Sequence, residues 1–186
     1  MTRIIAGSVG GTRIAVPPRG TRPTSDRVRE ALFSSLDARL DLGGMRVLDL
    51  YAGSGALGIE ALSRGAAHAT LVEKDARAAR IISSNLAATG FSARADVVRG
   101  DVLATLHRAP VAPYDLVLAD PPYDVEEPSI HELLQRLLDQ HWLVPGAVVV
   151  IERSARSPEP AWPEPLEPLR ARDYGETRIS IAEHVG

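Results

Sequence analysis

The sequence predicts an α/β fold. It has a mostly parallel seven-stranded sheet, a C-terminal antiparallel hairpin and a small N-terminal β-hairpin extension. Three observations lead there. From Met45 onward, short apolar runs alternate with amphipathic stretches of helical period. The apolar runs are nearly continuous, as in strands buried on both faces by crossover helices. The last two strand-like runs have only Gly175-Glu176 between them, too short for a crossover and right for a hairpin.

The elements follow in order. "RIIAGSVGGTRIAVP" holds two β-branched runs, Arg3–Ile5 and Thr12–Val16, around a glycine-rich turn and reads as a hairpin. "PPRGTRP" breaks regular structure. "TSDRVREALFSSLDARL" reads as a helix started by Ser25 and Asp26, with Val28, Ala31, Leu32 and Leu36 on one face. "MRVLDLY", "ATLVEKD", "RADVVRGD" and "YDLVLAD" are the next strands. Between them lie helices in "ALGIEALSRG", in "ARAARIISSNLAATG" and up to about His107. "SIHELLQRLLDQHWL" is the clearest helix: Ser129 and Glu132 have capping-box spacing, and Ile130, Leu133, Leu134, Leu137 and Leu138 form a stripe. "AVVVIER" is a fifth, almost wholly apolar strand. "LRARDY" and "TRISIAEH" close the chain, after "SPEPAWPEPLEP", which reads as a stiff surface connection.

At 186 residues and 45% apolar composition the chain suits one sizeable domain. The expected division is 1–20 as the hairpin extension and 21–186 as the main domain. No apolar run reaches the length of a membrane span, and the N-terminus lacks the apolar core of a secretory signal. With no cysteine there are no disulfides or thiolate metal sites, so a cytoplasmic protein without a metal is expected. The charge is uneven. Residues 1–30 hold six arginines against Asp26 and Glu30, a local +4, which leaves −7 for the rest of a chain at −3. A basic front on an acidic body suits contact with a polyanion, although a solvated arginine-rich surface has the same composition.

Gly53-Ser-Gly55-Ala-Leu-Gly58 follows a strand and opens a helix, the context that gives the G-x-G-x-x-G pattern meaning. Asp49 decides the ligand. A carboxylate at that strand end repels a pyrophosphate but suits the ammonium and sulfonium of S-adenosylmethionine. Glu73, about twenty residues beyond Gly53, is placed to accept from two ribose hydroxyls. Asp101 is placed to accept from the adenine amino group. Any single strand-end acid is most simply a solvated or helix-capping group. Asp49, Glu73, Asp101 and Asp120 end four successive strands, where the ligand crevice of an open α/β sheet lies.

The fourth of those strands ends in "DPPY", Asp120 to Tyr123. Prolines lack N–H groups and stiffen the turn, fixing where its carbonyls point. Asp120 and a carbonyl near Pro121 could accept both hydrogens of an exocyclic amine, while Tyr123 stacks on the base. Acceptors aimed at a nitrogen that is becoming positive both orient it and stabilise its charge. Without the cofactor turn, a Pro-Pro corner would mean only the end of a strand.

These motifs carry a family resemblance. "DPPY" with "LDLYAGSGALGIEALSRGA" resembles the class I methyltransferases, of Rossmann-like fold, that modify exocyclic amines of nucleic-acid bases. With the opening "RIIAGSVGGTRIAVP…TRPTSDRVREALF", the chain resembles the bacterial 16S ribosomal RNA guanine-N2 methyltransferase D family (RsmD-like) over essentially its whole length. The resemblance implies N2 methylation of one guanine in a 16S rRNA loop (position 966 in the usual rRNA numbering), within a small-subunit particle. It implies that Asp49, Gly53, Gly55, Glu73 and Asp101 hold S-adenosylmethionine, with Thr24, Tyr51, Lys74 and Val102 bordering the same pocket. Asp120, Pro121, Pro122 and Tyr123 then hold the base. Tyr51 stands where the family often has Phe. The substrate-binding expectation for the basic front falls on Arg13, Arg19 and Arg22, contacting phosphates of 16S rRNA. The protein is expected to act as a monomer.

The residues alone leave guanine and adenine open. A DNA adenine methyltransferase carries the same four residues, but normally with a separate domain to read duplex sequence, for which this chain has no room. A ribosome-assembly protein that keeps the fold without turnover is opposed by the intact acids. The five histidines have no ligand spacing, and Trp142 and Trp162 read as packing residues.

Overall fold

The computed structural model describes residues 1–18 and 25–186. In chain order the elements are β1 (Thr2–Arg3), β2 (Arg13–Ile14), α1 (Asp26–Asp37), β3 (Arg46–Leu50), α2 (Ala56–Ser63), β4 (His68–Glu73), α3 (Ala76–Thr89), β5 (Ala95–Arg99), α4 (Val102–Leu106), β6 (Tyr114–Ala119), α5 (Glu127–Asp139), β7 (Leu143–Ser154), β8 (Leu166–Tyr174) and β9 (Thr177–His184). The seven-stranded sheet runs β5-β4-β3-β6-β7-β9-β8. Its first four pairings are parallel and the two pairings of β9 antiparallel. This is the expected α/β sheet with its closing hairpin. Alternate strand residues feed two cores. Val47, Leu71, Leu118 and Val150 pack with α1, α2, α3 and the front hairpin. Leu48, Val72, Val117 and Val149 pack with α4 and α5.

After β3 the chain steps outward through β4 to β5, then returns to lay β6 on the other side of β3. The carboxyl ends of β3 and β6 therefore flank a topological switch point, where helices leave in opposite directions and a crevice opens.

The structure corrects the expected start of α5. Glu126 is the cap and Pro128 lies in the first turn, where its missing N–H costs nothing. Ser129 is thus already helical, no capping box forms with Glu132, and Glu132 pairs with Arg136 at 2.5 Å. Strand β7 is longer than its apolar run, because a bulge between Tyr114 and Leu116 of β6 and their partners absorbs Pro145 and Gly146.

The front hairpin is shorter than expected, two residues in each strand, because helix α2 takes up its backbone. Glu60 accepts from Ile5 N (2.8 Å) and Ala6 N (3.1 Å), and Ser63 Oγ accepts from Val9 N (3.1 Å). Gly7 is required at this contact: it adopts φ +84°, and a Cβ there would meet Ser63 O at 2.0 Å. Glu60 also receives Arg29 Nε at 3.4 Å and Arg64 Nε at 2.9 Å. Arg29 and Glu60 are fully buried, and the pair extends into a network in which Arg29 also meets Asp26 (3.0 Å), so removing either weakens a buried ion-pair network. Ile4 and Ile14 sit in the main core. The hairpin is bolted down by polar side chains and filled in by apolar ones.

Asn85 on α3 fixes where this segment goes next. Its Oδ1 accepts from Ala15 N, and its Nδ2 donates to Ala15 O and to Ser54 O, each at 2.9 Å. One buried carboxamide thus joins the hairpin exit to the turn between β3 and α2.

Candidate active site

The strand ends flanking the switch point open into a cleft of about 1200 Å³. That exceeds the usual range for one small ligand and leaves room for a cofactor and a base together. Of the residues expected from sequence, Tyr51, Gly53, Glu73, Lys74, Asp101, Val102, Asp120, Pro121, Pro122 and Tyr123 line it. Val16, Pro17 and Pro18, leaving the hairpin, form part of its rim. Arg13 is exposed on β2, three residues before that rim. Arg19, Arg22 and Thr24 lie outside the described residues.

The cofactor half is built from carboxylates that grip backbone N–H groups. Glu73 Oε1 accepts from Gly53 N and its Oε2 from Asp75 N, both at 2.9 Å. Each oxygen keeps a further lone pair, enough for two hydroxyls. Asp49 lies beneath the turn, 1% exposed, with Oδ2 accepting from Gly58 N at 2.9 Å. Burial pushes its carboxyl well above the ordinary range, against the Gly58 hydrogen bond and with help from the charges of Asp120 and Glu73. A Cβ at Gly58 would meet Leu71 Cδ2 at 2.8 Å and Asp49 Oδ2 at 3.2 Å, so glycine there lets α2 close on β4. Gly55 caps α2 in the left-handed region. Asp101 caps α4, with Oδ2 accepting from Ala104 N at 3.0 Å.

Tyr51 stands between the halves. Burial, then the charge of Asp101, pushes its hydroxyl up to about 12 against the pull of Arg153, so it stays a neutral donor.

The other half is the Asp120–Tyr123 corner. Val125 N donates to Pro122 O at 3.1 Å, making a tight turn, and Tyr123 is 58% exposed at the mouth. This corner is held from the end of β7 by Arg153. Its guanidinium donates to Val125 O at 2.6 Å and Pro122 O at 3.4 Å, and pairs with Glu127 at 3.0 Å. Arg153 and the neighbouring Glu152 are buried cleft residues that sequence reasoning missed, because "AVVVIER" reads as apolar core. The rule that singled out the acids on the earlier strand ends applies equally to Glu152.

Among the described residues, eight acids line the cleft (Glu73, Asp75, Asp101, Asp120, Asp124, Glu126, Glu152 and Glu176), against Lys74, Arg77 and Arg153. That lining repels a pyrophosphate and attracts a ligand carrying ammonium and sulfonium charges. Glu73, with outward lone pairs over the glycine turn, fits the ribose of the same ligand. Among the described residues, no group of three or more His, Asp or Glu side chains is arranged to hold a metal ion. No described helix is long and apolar enough to cross a membrane.

Known proteins with this architecture are numerous. YlbH of Bacillus subtilis is 35% identical over 187 residues, 99% of this chain and 100% of its own. The ribosomal RNA small subunit methyltransferase D of Escherichia coli K12 is 38% identical over 162 residues, 87% of this chain and 79% of its own. The solved structure of yhhF from Escherichia coli superposes with a TM-score of 0.88 at 32% identity, covering 100% of this chain and 98% of that one. A family model described as Conserved hypothetical protein 95 matches residues 2–183. The chain therefore belongs to the Conserved hypothetical protein 95 family, with the class I S-adenosylmethionine-dependent methyltransferase fold related to the RsmD-like proteins.

Proposed function

We propose that this protein methylates RNA from S-adenosylmethionine, and that its target is the exocyclic N2 of a guanine in 16S rRNA, within the small subunit or an assembly intermediate. The observation that carries the reading is the meeting of Glu73, Asp101 and Asp120–Tyr123 in one acidic cleft at the switch point. The ribosomal RNA methyltransferase D of Escherichia coli, similar over 87% of this chain, supports the substrate.

Bound there, S-adenosylmethionine supplies an electrophilic methyl group on a sulfonium. The remaining work belongs to this chain. Glu73 takes the ribose hydroxyls, Asp101 the adenine amine, and the carboxylates together favour the cationic end. Asp120 Oδ and the Pro121 carbonyl accept the two amine hydrogens, which orients the nitrogen lone pair and stabilises its developing positive charge. Asp120 then holds the released proton. Tyr123 covers the base. The arginine-bearing front, of which Arg13 is described, meets phosphates. In this reading the protein acts in the cytoplasm as a monomer, without a metal.

The test offers labelled S-adenosylmethionine with duplex DNA, naked 16S rRNA, or small subunits lacking the modification, and maps the product. Label on a guanine N2 of 16S rRNA is the expected outcome. Label confined to DNA sinks the reading.

A further inference from the structure

A shallow groove runs between α1 and β8. Arg170 and Arg172 stand opposite Ile181 and Ile179 of β9, and Tyr174 opposite Thr177, so their side chains share the face of the sheet that packs on α1. Val28, Leu32 and Ser35 follow at helical spacing along one side of α1. Ser25 and Val28 border the cleft, Leu32 and Ser35 border the groove, and Tyr174 borders both. The groove is therefore a side arm of the cleft mouth that leads away along β8. Its charge is the opposite of the cleft's. Among the described residues its lining holds two arginines and no acid. Asp173 turns to the other face and pairs with Arg178 at 2.7 Å, and no described carboxylate pairs with Arg170 or Arg172. Arg172 lies over the Tyr174 ring, 5.7 Å from its centroid, and Arg170 Nη1 donates to Ser35 Oγ at 3.4 Å. These contacts steady both guanidinium groups and leave most of their N–H donors open. At about 10 Å³ the groove is too shallow to enclose a nucleoside or a cofactor. It fits a chain lying along its surface.

We propose that this groove carries the phosphate backbone of the RNA beside the target base, with Arg170 and Arg172 each on a phosphate and Tyr174 where the strand turns into the cleft. The inference rests on the reading of this protein as an RNA methyltransferase. A cleft lined by acids repels the backbone of the very strand whose base it must receive, so affinity has to come from cations beside it. Arg170 and Arg172 lie two residues apart on a regular stretch of strand, about 7 Å, and can meet neighbouring phosphates of one chain. Two cations at even spacing suit the regular charge of a nucleic-acid backbone better than the scattered carboxylates of a protein. Such contacts fix the register of the RNA and carry no sequence information. The groove thereby positions the strand, and the corner takes the base.

The experiment measures binding of naked 16S rRNA to the full chain between about 50 and 200 mM salt. Arg170→Gln and Arg172→Gln are each expected to weaken binding roughly fivefold at 0.1 M salt and to flatten the slope of log K against log salt by about 0.7, and the double variant by twice that. Arg172→Lys keeps the charge and should keep the slope. Arg108→Gln removes one exposed arginine near the amino end of β6, on the edge of the sheet away from the cleft, and should leave the slope as it was. In turnover the loss should fall on KM for RNA more than on kcat. A double variant with the wild-type slope overturns the inference, and so does an equal flattening in Arg108→Gln. A loss seen with small subunits but not with naked RNA overturns it too, because the groove would then take a protein. Failure of the wild type to bind RNA at any salt would instead remove the reading of RNA as the substrate.

Discussion

The two halves of the cleft are held by opposite chemistry. On the cofactor side, the carboxylates of Glu73 and Asp49 collect backbone N–H groups from Gly53, Asp75 and Gly58. At the Asp120–Tyr123 corner, the Arg153 guanidinium collects the carbonyls of Pro122 and Val125. The first half is buried in the strand–turn–helix and belongs to the core. The second is a corner outside the sheet, tied to the next strand by the Arg153 side chain. A pocket for a small, constant ligand can be part of the core. A grip on a base that must enter and leave has to stand outside it, and then it needs a tether.

This contrast can be broken most sharply at Asp120. In the proposed clamp, replacing it with alanine removes one of two acceptors from the developing positive charge, so kcat should fall about 10²–10³-fold. Glu73 and Asp49 keep their hydrogen bonds to the glycine turn, so S-adenosylmethionine affinity by calorimetry should fall far less than kcat. A variant that loses both in parallel would show that the halves are not separable.

Arg153→Gln tests the tether. The corner keeps its own residues but loses its link to β7, and a misplaced acceptor is expected to lower kcat about tenfold. Cofactor affinity should hold, and KM for RNA should change less than kcat. A change confined to thermal stability would make Arg153 a packing residue only.

The smallest effect concerns Asp49. Burial raises its carboxyl in the folded protein, so folding favours the protonated acid. Its contribution to stability is complete below the ordinary carboxylate range and is lost as pH climbs through the raised value. The neutral carboxamide of Asp49→Asn would suffer no such loss and could still accept from Gly58 N. The variant should match the wild type in acid and melt about 2–4 °C higher at pH 8, read by a denaturation series. A gap that widens toward acid would reverse the sign and refute the account.

Much of the site was legible because its logic is periodic. Acids closing successive apolar strands mark the carboxyl edge of a parallel sheet, and this brought Glu73, Asp101 and Asp120 into one cleft. Asp49 obeys the same rule yet lies under the turn, since its nearest donor is Gly58, in the first turn of the following helix. Glu152 and Arg153 follow the rule too, but five apolar residues before them made the strand read as core. The least legible part was the front. Its glycine-rich turn announced a hairpin, but nothing in the spacing paired Arg29 with Glu60, thirty-one residues apart, or seated Ile4 and Ile14 in the core. A glutamate within the otherwise small and apolar "ALGIEALS" was the one available sign. Such a residue is retained in a buried helix only when several donors converge on it.

Asn85 gives these regions a common mechanical element. Because its carboxamide is shared between Ala15 and Ser54, neither the exit of the front hairpin nor the glycine turn can shift without lengthening bonds to the same group. In the proposed reading, which places RNA on the hairpin, whatever factor RNA imposes through that link on the affinity for cofactor, cofactor must impose on the affinity for RNA. The order in which the two ligands arrive would then alter the route but not the work.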